Sequence, residues 1–198
     1  MAQSLPYPLA PEALRRGRGP FWRWLGGAYL RLGGWQVEGP FPEVPQVVAI
    51  VAPHTSNWDF PLGLALMFAA DLRVSWLGKH SLFRWPFGAL LRRLGGIPVD
   101  RRANHGVVGD CVKAFEASRA LLLCLAPEGT RRSQGQWRSG FYQIARGAGV
   151  PILPVAFDFG RHVIRLMPLV RPSGTQAQDL PLIQALFSDI RGRLARPS

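Results

Sequence analysis

The sequence predicts an α/β fold: a mostly parallel sheet covered by helices, with an N-terminal amphipathic helical segment. Three observations lead there. Short apolar runs alternate with longer segments of helical character, the pattern of strands joined by crossover helices. Most apolar runs end in glycine, proline or a polar turn, so each stops within a strand's usual length. Near the C-terminal end, two apolar runs are separated by a turn at Gly160-Arg161, which predicts one antiparallel pair. The 198 residues, 47% of them hydrophobic, are enough for a domain with a substantial core.

Residues 1–12 are rich in proline and read as loose. From Ala13 to Trp35, arginines mix with Phe21, Trp22, Trp24, Leu25, Tyr29, Leu30, Leu32 and Trp35, a pattern able to form an amphipathic helix. Gly26, Gly27, Gly33 and Gly34 weaken it. Residues 39–45 hold three prolines and read as a linker, dividing the chain into a segment 1–38 and a domain 39–198. Within that domain, strands are expected at Val47–Ala52, Arg73–Leu77, Ile97–Val99, Ala120–Leu125, Ile152–Phe157 and Val163–Met167. Helices are expected at Asn57–Ala70, capped by Thr55, Ser56 or Asn57, and at Leu82–Leu94, with Pro86 in its first turn or at a break. Further helices are expected at His105–Ser118, at Gly140–Ala148 up to Gly149, and at Leu180–Leu194.

The net charge of +12 calls for a negatively charged partner: nucleic acid, anionic lipid or a phosphorylated substrate. All bases but Lys79 and Lys113 are arginines, a bias that suits phosphate and equally follows from genome composition. Cys111 and Cys124 sit among apolar residues and read as core thiols of a reducing compartment. The first residues lack the charged and apolar blocks of a signal peptide, and no apolar run is long enough to predict a transmembrane helix. No cluster has metal-ligand spacing, and no nucleotide-binding loop or serine elbow appears.

Three segments carry chemistry. In Ala52-Pro53-His54-Thr55-Ser56-Asn57-Trp58-Asp59 an apolar strand ends in a polar turn and a helix begins at once. Active sites of α/β folds gather at such strand ends. Asp59 can fold back beneath the His54 imidazole, fix its tautomer and leave the other nitrogen to take a proton from a hydroxyl. Taken alone, the same residues could merely cap a helix. Pro127-Glu128-Gly129-Thr130-Arg131 follows the apolar run Leu121–Leu125. There Gly129 permits a tight turn, Thr130 and Arg131 can donate to phosphate, and Glu128 can position Arg131 or an acceptor hydroxyl. Gly95–Arg102 repeats the pattern of glycine, short apolar strand and arginine, bringing Arg101 to the same edge. Lys79 adds charge there; His80, His105 and His162 have no nameable partner. With no credible serine or cysteine nucleophile, the His–Asp pair should activate the acceptor directly.

With these residues in view, the chain resembles the glycerolipid acyltransferases, whose best-known members acylate lysophosphatidic acid. His54 to Asp59 matches the HX4D motif, Gly95 to Arg101 the second, Pro127 to Arg131 the third and Val150 to Val155 the fourth, in family order. Pro98 stands where many members have an aromatic residue, and Ala126 where Phe or Val is common. The resemblance implies His54 as general base and Asp59 as its orienting partner. It implies Lys79, Arg101, Glu128, Gly129, Thr130 and Arg131 as binding residues for the acceptor's phosphate and glycerol, and a contribution of Pro154 to the acyl site. It further implies a single acyltransferase domain at 39–198, a membrane-associating segment at 1–38 and no metal or cofactor. The co-substrate would be acyl-CoA or acyl-acyl carrier protein, and the place of work the cytoplasmic face of a membrane, as a peripheral or monotopic protein. The acceptor stays open between 1-acylglycerol-3-phosphate, another lysolipid and an amino-lipid hydroxyl. A basic nucleic-acid-binding module is the competing class, but it leaves the ordered strand-end motifs unexplained.

Overall fold

A computed structural model describes residues 7–99, 104–129 and 137–193. Among these residues seven strands form one sheet: β1 (Gln36–Glu38), β2 (Gln46–Ala52), β3 (Val74–Lys79), β4 (Gly96–Val99), β5 (Leu121–Leu125), β6 (Ile152–Asp158) and β7 (Val163–Leu166), in the order β1-β7-β6-β2-β5-β3-β4. The five strands β2 to β6 run parallel, and β7 pairs antiparallel with β6 as the turn at Gly160 predicts. Strand β2 lies in the middle, and its alternating residues serve two cores. Val47 and Ala49 face α1 (Pro20–Leu32) and α2 (Asp59–Ala69), alongside Leu30, Leu62 and Ala65. Val48 and Ile50 face α4 (Asn104–Glu116) and α5 (Gly140–Ala148), alongside Phe115, Phe141 and Ile144. A strand buried on both faces reads as one unbroken apolar run, which is what Val47–Ala52 is.

The helix boundaries follow the sequence for α2, α4 and α5 and depart from it elsewhere. Gly149 stops α5 in the left-handed conformation (φ 66°) that glycine adopts without a steric penalty. The expected helix Leu82–Leu94 is broken at Pro86: a 3-10 turn covers His80–Phe83, and only α3 (Gly88–Arg93) is α-helical. The closing helix α6 spans Gln176–Ala185 instead of Leu180–Leu194. It starts early because Asp179 reaches back to Ser173, accepting from its backbone N–H (2.7 Å) and its hydroxyl (2.8 Å), while the Tyr142 hydroxyl donates to the same carboxylate (2.7 Å). These bonds pin α6 to α5 and hold the Asp179 pKa down, the Tyr142 bond contributing most.

The N-terminal part is more integrated than its composition suggests. Residues 7–12 were expected to be loose, yet Tyr7 and Ala10 are buried, and the Tyr7 hydroxyl donates to the Trp35 carbonyl (3.0 Å). Strand β1, which has no counterpart in the sequence reading, runs beside β7, so the boundary at 38/39 falls between two strands of one sheet. Trp35 is buried between the rings of Phe159 (4.9 Å) and His162 (5.2 Å). The glycines of α1 prove to be packing residues. A Cβ on Gly26 would stand 2.5 Å from the Ala65 carbonyl oxygen and the Ala69 nitrogen, so the missing side chain lets α1 cross close over α2. Gly26→Ala, which would stabilise an exposed helix, should therefore destabilise this protein. Overpacking of this kind costs about 1–3 kcal/mol. Thermal unfolding followed by circular dichroism should show the melting temperature falling by roughly 2–4 °C per kcal/mol.

Candidate active site

Strand β2 ends at Ala52 and α2 begins at Asp59, so Pro53–Trp58 alone connect them. Ser56 Oγ accepts the Trp58 N–H (3.2 Å), turning the chain toward the helix. The N-cap residue of α2 is Trp58, which makes no side-chain cap bond. Instead the Asp59 carboxylate folds back over the turn, and its Oδ2 accepts the Ser56 N–H (3.0 Å) and His54 Nδ1–H (2.9 Å). Its place in the first turn favours the negative charge, since the helix N-terminus carries partial positive charge. The Asp59 side chain is 2% exposed and that of His54 29%, so the acid is enclosed while the imidazole faces the edge of the sheet. The hydrogen bond assigns the proton to Nδ1 and leaves Nε2 as the basic nitrogen.

Neighbouring strands bring further groups to this edge. Beyond β5, Ala126–Gly129 form a turn closed by the Gly129 N–H to the Ala126 carbonyl (3.0 Å), with Gly129 at φ 66°. Glu128 is buried, and its Oε1 accepts the backbone N–H of His54 (3.3 Å). Glu128, read as an acceptor contact, thus also holds the His54 loop. Lys79 ends β3 and is exposed at the same edge. Arg101, Thr130 and Arg131 lie outside the described residues. Pro154 is buried in β6 opposite Ile50 of β2, below the His54 loop.

Two contacts at the site escaped the sequence reading. Gly129 lies under Arg138, whose side chain a Cβ there would meet at 2.9 Å, and the Arg138 N–H donates to the Pro127 carbonyl (2.8 Å). The stretch after α6 returns to the site: Gly192 packs on Thr55 and Pro53, the Phe159 N–H donates to the Arg191 carbonyl (2.8 Å), and the Arg193 guanidinium sits 4.7 Å from the Trp58 ring centre. Nothing in the local sequence announces these contacts, because they join residues far apart in the chain. A glycine beside an arginine was the only available signal.

The other chemical candidates are accounted for elsewhere. His162 stacks on Trp35 with Nδ1 at 2.8 Å from the Gly33 carbonyl, a structural role. Burial pushes the Cys111 thiol up to about 11, with Asp110 adding to it, and the Cys124 thiol up to about 12, so both stay protonated and are poor nucleophiles. Among the described residues no group of three or more His, Cys, Asp or Glu could hold a metal ion. What remains at the edge is a base, its orienting acid and a set of cations: equipment for removing a proton from a hydroxyl beside an anionic group.

Comparison with known proteins agrees with this equipment. The crystal structure of the 1-acyl-sn-glycerophosphate (LPA) acyltransferase PlsC from Thermotoga maritima shares the fold, with a TM-score of 0.58 and 19% identity, covering 88% of this chain and 80% of that one. A 1-acyl-sn-glycerol-3-phosphate acyltransferase of Escherichia coli is 32% identical over 123 residues, which are 59% of this chain and 49% of that protein. The chain thus spans about half the length of that relative. One from Haemophilus influenzae is 29% identical over 190 residues, 85% of this chain and 77% of that protein. The family model named Acyltransferase matches residues 37–158, which include β2 to β6, the His54–Asp59 pair and the Glu128 turn. The chain belongs to the Acyltransferase family.

Proposed function

We propose that this protein transfers a fatty acyl group from a thioester, acyl-CoA or acyl-acyl carrier protein, to the hydroxyl of a lysophospholipid, foremost 1-acylglycerol-3-phosphate. The observation that carries the reading is the 2.9 Å bond from His54 Nδ1 to the buried Asp59 carboxylate, which leaves Nε2 of a part-exposed imidazole without the proton. The relatives from Escherichia coli and Haemophilus influenzae, both 1-acyl-sn-glycerol-3-phosphate acyltransferases, support the acceptor.

In this reading Nε2 of His54 removes the proton of the acceptor hydroxyl as its oxygen attacks the thioester carbonyl carbon. Asp59 stabilises the resulting imidazolium without taking its proton. The tetrahedral intermediate collapses with cleavage of the C–S bond, and the imidazolium returns the proton to the departing thiolate. Glu128 keeps the His54 backbone in register with the β5 end, while Lys79, Arg101, Thr130 and Arg131 bind the acceptor's phosphate. No cofactor takes part.

The acceptor lives in a bilayer, and among the described residues no helix is long and apolar enough to cross one. The reading therefore includes attachment to the cytoplasmic face through α1, whose Phe21, Trp22, Trp24, Leu25, Tyr29 and Leu32 are exposed. Trp35 belongs to the core and Arg18 is engaged with Asp71 and the Leu72 carbonyl, so neither serves the surface.

His54→Ala should reduce transfer by about 10²–10⁴-fold, the usual worth of general-base catalysis, in a protein that still folds. Asp59→Asn should also slow turnover by freeing the ring. Near-full transfer by folded His54→Ala in a mass-spectrometric assay with 1-acylglycerol-3-phosphate would overturn the assignment. Arg101→Ala and Arg131→Ala should raise KM for phosphate-bearing acceptors, since a charged hydrogen bond is worth about 1.5–3 kcal/mol. Equal losses with an acceptor lacking phosphate would show that these arginines do not read it. For α1, deleting the chain up to Gly39 would strip buried Leu30 and Trp35 from the core, so surface substitutions are the proper test. Phe21→Ser with Trp24→Ser and Leu32→Ser should weaken co-sedimentation with anionic vesicles, and unchanged binding would remove α1 from the membrane contact.

A further inference from the structure

Between Leu72 and Val99 the sequence contains Arg73, Lys79, Arg84, Arg92 and Arg93 and no acidic residue. The fold mounts the middle of this segment firmly. Phe83 is buried, stacked 5.6 Å from Trp76, which meets Phe60 of α2 (5.0 Å) and donates its Nε1–H to the Leu94 carbonyl (3.1 Å). The backbone closes on itself where the Gly88 N–H donates to the Arg84 carbonyl (2.9 Å). Phe83 carries the inward packing; what the same turn and α3 present outward is apolar as well. Leu82 is 55% exposed, Trp85 93%, Phe87 65% and Leu90 54%. Two rings and two leucines left open together on one short, well-anchored segment mark an interaction surface.

Charge and position select the occupant. Lys79, Arg84, Arg92 and Arg93 are exposed, and none pairs with a carboxylate among the described residues. A second copy of the chain would set these cations against each other. An anionic bilayer meets both halves of the chemistry: headgroup phosphates take the arginines, and the interfacial layer takes the aromatic rings and leucines. The segment leaves β3 at the edge where His54 leaves β2, and its Val74 and Leu94 pack against the core that α1 and α2 share. Through Phe83 and Trp76 it is tied to the α1–α2 side of the sheet, at Phe60, the residue after Asp59.

We propose that Leu82, Trp85, Phe87 and Leu90, with Arg84 and Arg93, form a second docking surface for an anionic membrane, separate from α1, that sets the edge bearing His54 against the lipid. The purpose follows from the acyl-transfer reading, but the docking can be measured without it. The full chain is sedimented with phosphatidylcholine vesicles, with and without phosphatidylglycerol. Trp85→Ser with Phe87→Ser should weaken binding to the anionic vesicles about tenfold, and Arg84→Glu with Arg93→Glu should do so at low salt. Turnover of a short-chain, water-soluble lysophosphatidic acid should stay within about twofold for both pairs. Unchanged vesicle binding by the folded serine pair overturns the proposal, as does a lipid-free dimer of the wild-type chain that the serine pair dissolves. Should that pair lower the melting temperature, brominated anionic lipid decides: quenching of the protein's fluorescence should drop in Trp85→Phe, and undiminished quenching overturns the proposal. Failure of the wild-type chain to acylate any lysolipid would sink the acyl-transfer reading and leave the vesicle result standing.

Discussion

The site depends on keeping an ionised carboxylate where carboxylates are costly. Asp59 is enclosed by the turn it stabilises, and among the described residues its Oδ1 has no hydrogen-bond partner. A buried charge of this kind is tolerated only with compensation. Here that comes from the Ser56 N–H, the His54 Nδ1–H and the start of α2. All three require β2 to end at Ala52 and the helix to begin at Asp59, so the strand's length and the acid's position are one constraint. Glu128 adds a second: by accepting the His54 N–H it ties the loop after β2 to the turn after β5. The geometry of the candidate site is thus a property of two adjacent strand ends and not of one motif.

That division explains what could be read from the chain. The central strands were visible because β2, β5 and β6 are buried on both faces and need continuous apolar runs. The His54–Asp59 pair was visible because both partners lie in one local turn. Strand β1 was not, since Gln36-Val37-Glu38 is short, polar at its edges and made a strand only by β7 beside it. Likewise Tyr7 and Trp35 became core residues through contacts that a composition of prolines and arginines conceals. The bond from the His54 amide to Glu128 was hidden for the same reason: it joins a side chain to the loop of another strand.

The positive charge also divides once the fold is known. Some arginines are internal fasteners. Arg18 holds Asp71 and the Leu72 carbonyl beneath the Phe68 ring, and its pKa is lowered by burial, with Asp71 opposing that shift. Arg161 and Arg165 share Asp189, and Arg165 also reaches Glu38, joining β1, β7 and the stretch after α6. Such exposed pairs contribute little stability singly. Their interest is where they place Arg191–Arg193, next to the His54 loop. Arg92 likewise donates to the Phe83 carbonyl (3.4 Å) and lies over the Phe83 ring, whereas Lys79, Arg84 and Arg93 stay exposed on the segment between β3 and β4. A net charge that the sequence offers as a uniform property is therefore partly structural and partly directional.

Direction matters because of what competes with the proposed reaction. A base that can deprotonate an alcohol can also deprotonate water, and a thioester hydrolyses if water reaches it first. The His54 side chain is 29% exposed in the isolated chain, so the fold alone does not seal the site. Around it stand exposed Trp58 and Phe60, and farther along the same edge Leu82 and Trp85. Apolar groups ringing a wet base do nothing useful in solution. Set against a bilayer, they would replace bulk water by lipid at the moment the acceptor is within reach, so that selectivity for a lipid hydroxyl over water would arise from docking and not from the catalytic pair.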